Sequence, residues 1–290
     1  MTTARQIGIA GLGLLGSALG ARLVGAGYSP KGFDIDAAKT AAFAKAGGVV
    51  ATLDEVARCD VVLLAVFDTN QVEDVVENEL MPAVAGAPKT VLCASTCDPD
   101  RIAALIAKVA PQLRMIEAPV SGSSAQVRNG DGVGLIGGDR DTVDSVADII
   151  DTLYPKWFHM GAAGNGGRAK LAINHMLGLN RLVLAEGLVF AERLGLDPNS
   201  LLDVARQSAA YSQVMDTKGP KMVSGDYAPQ GFIHQSLKDF HLILDQAASR
   251  GQDMPLAALN AAVLEACVKR GEGERDNSAV IEEIRRRKKD

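Results

Sequence analysis

Short apolar runs alternate with amphipathic stretches through the first half of the chain. Residues 6–10, 32–34, 60–66, 90–94 and 115–118 are apolar runs of strand length, and 14–26, 37–46, 70–79 and 100–109 carry helical periodicity. Strands and helices taking turns in this way predict βαβ crossovers and a parallel sheet covered on both faces. After Asp60, the run Val61-Val62-Leu63-Leu64-Ala65-Val66 has no polar position. A strand that is apolar on both faces belongs in the middle of such a sheet. Strands at 133–136 and 157–159, flanking a helix at 142–153, extend the sheet beyond six strands.

The texture changes after Gly161. Residues 166–194 carry a helical pattern without proline, and 199–208, 235–249, 255–269 and 277–287 also read as helices, with Pro198, Pro229 and Pro255 at starts or breaks. The predicted fold is an α/β N-terminal Rossmann-like doubly wound sheet followed by an all-α C-terminal domain, divided as 1–163 and 164–290.

Composition narrows the partners. A chain of 290 residues can bury its core without disulfides or metals. Its 30 basic and 35 acidic residues are spread along the chain, so no field favours nucleic acid or a membrane surface. The run Arg285-Arg286-Arg287-Lys288-Lys289 follows a helical segment, where cations complement the helix dipole. Cys59, Cys93, Cys97 and Cys267 lack metal-ligand spacing, and the first three lie at or beside apolar strands, where a thiol acts as a small hydrophobe. No metal is expected. With no apolar leader and no apolar run of about 18 residues, a cytoplasmic protein is the expectation.

Gly11-Leu12-Gly13-Leu14-Leu15-Gly16 follows the first strand and opens the first helix. In that position Gly11 makes the tight turn, Gly13 lets a pyrophosphate approach the backbone, and Gly16 lets the helix pack closely. The helix amides and dipole then receive the negative charge. Asp34 ends the second strand, where its carboxylate can bind adenosine ribose hydroxyls and repel a 2′-phosphate. NAD is therefore expected over NADP, with Lys31 or Lys39 able to soften the preference. The same aspartate is equally compatible with capping the helix that begins near Ala37.

Two further stretches carry candidate chemistry. Gly164-Asn165-Gly166-Gly167 leads into a helix on which Lys170 and Asn174, four apart, share one face. Leu171, Ala172 and Ile173 make that face partly apolar, and burial would destabilise the ammonium form of Lys170. A snorkelling surface lysine is the plain alternative. Ala118-Pro119-Val120 leads from a strand into Ser121-Gly122-Ser123, small residues whose amides and hydroxyls can receive a carboxylate.

Taken together and in this order, these segments resemble the β-hydroxyacid dehydrogenase family, which includes 3-hydroxyisobutyrate dehydrogenases and tartronate semialdehyde reductases. Ser95-Thr96 before Asp98-Pro99, Phe232 and Lys238-Asp239 add to the match, which spans nearly the whole chain. The resemblance implies Lys170 as general acid/base, Asn174 as a substrate or lysine positioner, and Ser121 with Gly122 as carboxylate anchors. It further implies Thr96 and Lys238 near the nicotinamide and ribose, Phe67 against the cofactor, and Phe232 lining the substrate site. Three places depart from the family pattern: Leu15 stands where methionine is common, Ser123 replaces a glycine beside the substrate, and Ile173 and His175 flank Asn174.

The expected function is hydride transfer between a nicotinamide and a small 3-hydroxy acid or its semialdehyde or keto acid, by an enzyme acting on CH–OH donors. An imine reductase of the same architecture and a non-catalytic NAD-binding sensor are the alternatives. Arg128 and Arg168 are weak candidates for a phosphorylated substrate. Apolar faces around 176–190 and 256–268 exceed the needs of a small helical core, which predicts a homodimer or homotetramer.

Overall fold

The computed structural model describes residues 5–84 and 89–287. Met1 to Ala4 and the Lys288-Lys289 end of the basic run lie outside the described residues. The chain divides into two compact units, the first ending at Lys170 and the second beginning at Leu171. The division falls inside one continuous helix, Asn165–Arg193, rather than in the loop before it.

In the first unit the described strands are β1 (Ile7–Ala10), β2 (Lys31–Phe33), β3 (Val49–Val50), β4 (Val61–Leu64), β5 (Lys89–Cys93), β6 (Leu113–Glu117), β7 (Val120–Ser121), β8 (Val133–Gly137) and β9 (Lys156–Gly161). They join in the order β3-β2-β1-β4-β5-β6-β8-β7, with β9 also pairing β8. From β3 through β6 every pairing is parallel. Beyond β6 the sheet turns antiparallel at β8, which is itself parallel to β9. As its unbroken apolar sequence requires, β4 lies between β1 and β5 with all four residues buried.

Successive side chains of these strands feed opposite faces. Ile7, Ile9, Leu63, Leu92 and Ile116 pack in one cluster, and Ala10, Val62, Leu64, Val91 and Met115 in another. The strand order reverses between β1 and β4, the switch point outside which such sheets bind ligands at their carboxyl ends.

Several short elements escape the periodicity reading. The edge strand β3, the helix Leu53–Ala57, the strand β7 and the helix Ser124–Asn129 are too short to show a period. Both of those helices start with a reciprocal cap, Thr52 with Glu55 and Ser123 with Gln126, which is legible as S/T-x-x-E/Q. The expected helix at 142–153 is two helices, Arg140–Ser145 and Ala147–Leu153. The one expected at 70–79 is α-helical over Thr69–Asp74 and π-helical over Val75–Leu80.

The second unit is helical throughout its described elements: the long helix from Leu171 onward, Pro198–Arg206, Gln213–Thr217, Gly219–Ser224, Ile233–Ala248, Pro255–Lys269, a 3₁₀ turn Asn277–Ala279, and Val280–Arg286. The pair Gln213–Thr217 and Gly219–Ser224 was not legible as helix from periodicity. Leu184, Leu188, Phe240, Ile243, Leu264 and Ile281 anchor its core. The described part of the basic run is neutralised: Arg285 pairs with Glu192 and Glu282, Arg286 with Glu272, and Arg287 with Glu283. No helix among the described residues is long and apolar enough to cross a membrane.

Candidate active site

The loop between β1 and the helix Leu14–Gly25 has the geometry its glycines predict. Gly11 takes φ +94°, and a Cβ there would press on the Ala65 carbonyl at 2.6 Å. A Cβ on Gly16 would collide with the Gly11 carbonyl oxygen, so this glycine lets the helix close onto its own turn. Gly13 is the opposite case. A Cβ on it would meet nothing within 4 Å, and as N-cap it offers no side chain to the helix amides. Leu12 is buried, whereas Leu14 and Leu15 are only partly so. An open backbone at an uncapped helix N-terminus fits a pyrophosphate.

Asp34 follows β2 with its side chain 9% exposed. One oxygen accepts the Leu12 N–H at 2.8 Å and the other the Asp36 N–H at 2.9 Å, which holds the carboxylate against the glycine turn. The helix Ala37–Lys45 is capped by Asp36 instead, so the capping alternative for Asp34 is overturned. Lys39 lies 3.7 Å from Asp34.

Phe67 and Thr96 sit on the loops that follow β4 and β5, and the Phe67 N–H donates to Gln71 Oε1. The Ser95 hydroxyl donates to the Val66 carbonyl at 2.7 Å and so ties these two loops together.

Lys170 is 8% exposed, and its Nζ donates to the Val120 carbonyl at 2.6 Å. Residues fifty apart in sequence are thereby joined, and Lys170 stands beside the start of Ser121-Gly122. The snorkelling alternative does not describe this lysine. Gly122 takes φ +143°, as a glycine can. Ser123 departs from the carboxylate-anchor expectation: its hydroxyl accepts the Gln126 N–H and its own N–H donates to Gln126 Oε1. These groups form a capping box with Gln126.

The start of the helix that carries Lys170 is held by a residue that sequence reasoning missed. Glu117, at the end of β6, is 3% exposed and accepts N–H groups from Gly164 at 2.6 Å, Gly166 at 3.3 Å and Gly167 at 2.8 Å. The glycine-rich lead-in serves this carboxylate. A Cβ on Gly167 would lie 2.8 Å from Glu117 Oε1, and one on Gly166 would press on the Leu135 carbonyl at 2.7 Å. Burial raises the Glu117 pKa, against the opposing pull of the glycine amides and Arg168. The signal in the sequence was a lone acid after the apolar Met115-Ile116 together with unexplained glycines.

Within the helical unit, Asn174 donates from Nδ2 to Asp239 Oδ2 at 2.7 Å, and Lys238 Nζ lies 3.2 Å from Asp239 Oδ1. Asp239, given no role from sequence, is therefore the link between Asn174 and Lys238. Phe232 is the N-cap residue of the helix that carries Lys238 and stacks on His234 with ring centroids 5.1 Å apart. Burial lowers the pKa of His175, next to Asn174. Arg168 is taken up by Asp100 and Asn165 and Arg128 is exposed, so neither supports a phosphate site.

Comparison with known proteins matches these units to two family models. Residues 6–161 match the NAD binding domain of 6-phosphogluconate dehydrogenase. Residues 164–284 match the model described as NAD-binding of NADP-dependent 3-hydroxyisobutyrate dehydrogenase. An L-threonate dehydrogenase of Cupriavidus necator is 32% identical over 282 residues, covering 96% of this chain and 95% of the relative. The crystal structure of a 3-hydroxyisobutyrate dehydrogenase from Salmonella typhimurium superposes with a TM-score of 0.87 at 25% identity, over 96% of this chain and 99% of that one. A 3-hydroxyisobutyrate dehydrogenase of Mycobacterium tuberculosis, solved with L-serine, gives 0.83 at 27%, over 98% and 100%.

Proposed function

The chain belongs to the β-hydroxyacid dehydrogenase family, of 3-hydroxyisobutyrate dehydrogenase type, and on that premise we propose that it interconverts a small 3-hydroxy acid and its semialdehyde or keto acid, with Lys170 as general acid/base. The cofactor is a nicotinamide dinucleotide. The observation that carries the role of Lys170 is its burial at hydrogen-bond distance from Val120, directly before Ser121 and Gly122.

When bound, the nicotinamide supplies the hydride acceptor for the carbinol carbon. In the oxidative direction the neutral amine of Lys170 takes the hydroxyl proton and becomes the ammonium, and in reduction the ammonium returns it. The Val120 carbonyl orients the amine and keeps it beside the carboxylate anchors Ser121 and Gly122. Asn174, one turn further along the helix and held by Asp239, presents its side chain on the same helix face as Lys170. The turn at 11–16 receives the pyrophosphate.

NAD is preferred over NADP in this reading, because a carboxylate in the Asp34 position binds ribose hydroxyls and repels a 2′-phosphate. Lys39 at 3.7 Å softens the preference. The enzyme assembles as a homodimer or homotetramer and works in the cytoplasm. Met176, Val183 and Phe190 are exposed by 57, 67 and 66% at seven-residue intervals on the long helix, a stripe suited to a second subunit.

The test is a panel of three- to five-carbon 3-hydroxy acids and semialdehydes, followed by nicotinamide absorbance with both cofactors. Turnover with higher kcat/KM for NAD is expected. Lys170→Ala should lose on the order of 10²–10⁴-fold in kcat while NAD affinity stays within about threefold. Near-parental turnover by that variant removes lysine from the mechanism.

A further inference from the structure

The loops that follow β4 and β5 are joined beyond the point where the sheet can join them. The ladder between these strands ends with Leu64 opposite Cys93 and the Ala94 N–H donating to the Leu64 carbonyl at 2.8 Å. Past that rung the two passages leave for the helices Thr69–Asp74 and Pro99–Val109, and no further backbone bond links them among the described residues.

Two side-chain hydroxyls take over. The Ser95 hydroxyl donates to the Val66 carbonyl at 2.7 Å, and the Thr69 hydroxyl oxygen accepts the Asp98 N–H at 2.9 Å. Ser95 is 7% exposed and Thr69 5%. A hydroxyl withdrawn from water to that extent is costly unless it is bonded, and each of these bonds crosses from one loop to the other. One turn further on, Arg101 donates to Asn70 Oδ1 at 2.8 Å and to Glu73 Oε1 at 3.0 Å, linking the two helices as well. That arginine is half-exposed and screened by solvent, so the two buried hydroxyls carry the tie.

The ties fall directly before the residues expected at the coenzyme. Val66 precedes Phe67, and Ser95 precedes Thr96. Both loops lie at the carboxyl ends of adjacent parallel strands, where such sheets bind ligands, and β4 borders the switch point. Phe67 keeps 36% of its surface exposed there.

We propose that Ser95 and Thr69 are positioning residues for the nicotinamide end of the coenzyme, their cross-loop hydrogen bonds holding Phe67 and Thr96 as one fixed wall. Resting on the placement of Phe67 and Thr96 beside the coenzyme, this role is independent of which hydroxy acid reacts. Each hydroxyl acts through the loop it secures. A wall fixed before the coenzyme arrives lowers the ordering cost of binding. The adenosine half relies on the glycine turn and Asp34, and does not depend on the ties.

The experiment measures by calorimetry the affinity of the full chain for NADH and for ADP-ribose, which lacks the nicotinamide ring. The parent should bind NADH more tightly than ADP-ribose. Ser95→Ala and Thr69→Val should each weaken NADH by about five- to tenfold, with ADP-ribose within about twofold of the parent. Thr69→Val keeps the branched shape and removes the acceptor, whereas Thr69→Ser keeps the acceptor and removes a methyl. Thr69→Ser should therefore hold NADH within about twofold of the parent.

Residues that only support the fold would weaken both ligands alike, and equal weakening overturns the proposal. So does unchanged NADH affinity in Ser95→Ala and Thr69→Val. A loss in Thr69→Ser as large as in Thr69→Val would assign the effect to packing and has the same consequence. If Ser95→Ala does not fold, the two Thr69 variants decide. Equal affinity of the parent for NADH and ADP-ribose removes the wall itself, and the proposal with it. Because binding is read without any hydroxy acid, a failure to turn over such acids sinks the substrate reading and leaves this one standing.

Discussion

Glu117 in the nucleotide-binding unit and Arg181 in the helical unit are exposed by 3% and 5%, yet the first accepts three backbone N–H groups and the second makes no hydrogen bond to a described residue. Both charges carry a desolvation penalty of several kcal/mol. At Glu117 the glycine amides offset part of it, and a Cβ on Gly166 or Gly167 would intrude on the close approach. At Arg181 only the charges of Asp276 and Asp239 do so, without a hydrogen bond. A buried charge whose hydrogen bonds are made is tied into the scaffold, and one without them is not.

The contrast can be broken most directly at Glu117. Glu117→Ala removes the acceptor from three buried amides, each worth about 1–3 kcal/mol when stranded, so urea denaturation should show a loss of about 4 kcal/mol. A loss below about 1 kcal/mol would mean that these amides find other partners and that Glu117 is no more scaffold than Arg181.

A smaller effect sharpens the same point through pH. Burial raises the Glu117 pKa above its ordinary 4.5. The folded state then favours the protonated carboxyl, so this group's contribution to stability is complete below pH 4.5 and declines as pH rises through the folded value. Glu117→Gln cannot titrate. The Tm difference between variant and parent should therefore shift in favour of the variant as pH rises from about 4 to 7. A difference that stays flat across this range would show that the folded pKa is not raised.

The smallest effect is expected at Arg181 itself. With no pair to break, Arg181→Met should leave ligand-free stability within about 1 kcal/mol of the parent, or raise it. A loss of about 3 kcal/mol or more in urea would place Arg181 among the structural counter-charges of Asp239 and Asp276, and the comparison with Glu117 would collapse.

Much of this architecture is local enough to be legible in order along the chain. The alternation of apolar runs predicted β1, β2, β4, β5 and β6, and the unbroken Val61-Val62-Leu63-Leu64 placed β4 mid-sheet. The strand–glycine–helix passage from Ile9 to Leu19 predicted which glycine turns, which lies open and which packs, and the four-residue interval put Lys170 and Asn174 on one helix face. Short elements such as β7 and the helix Ser124–Asn129 lack a full period. For that reason the capping role of Ser123 was not legible from periodicity.

Periodicity and turn chemistry act over a few residues, and what they imply was already decided by the sequence by itself: the order of strands and helices, the phosphate turn, and the shared face of the lysine and the amide. The partners of the charged groups were decided only by tertiary structure. Glu117 meets amides about fifty positions away, Asn174 meets Asp239 across sixty-five, and Asp276 exhausts its lone pairs on Lys218 fifty-eight positions earlier. No local pattern encodes such pairings, because electrostatic and hydrogen-bond satisfaction depends on distance in space and on burial. For the same reason an arginine that reads as ordinary on a helix became visible as a buried charge only once its surroundings had closed over it.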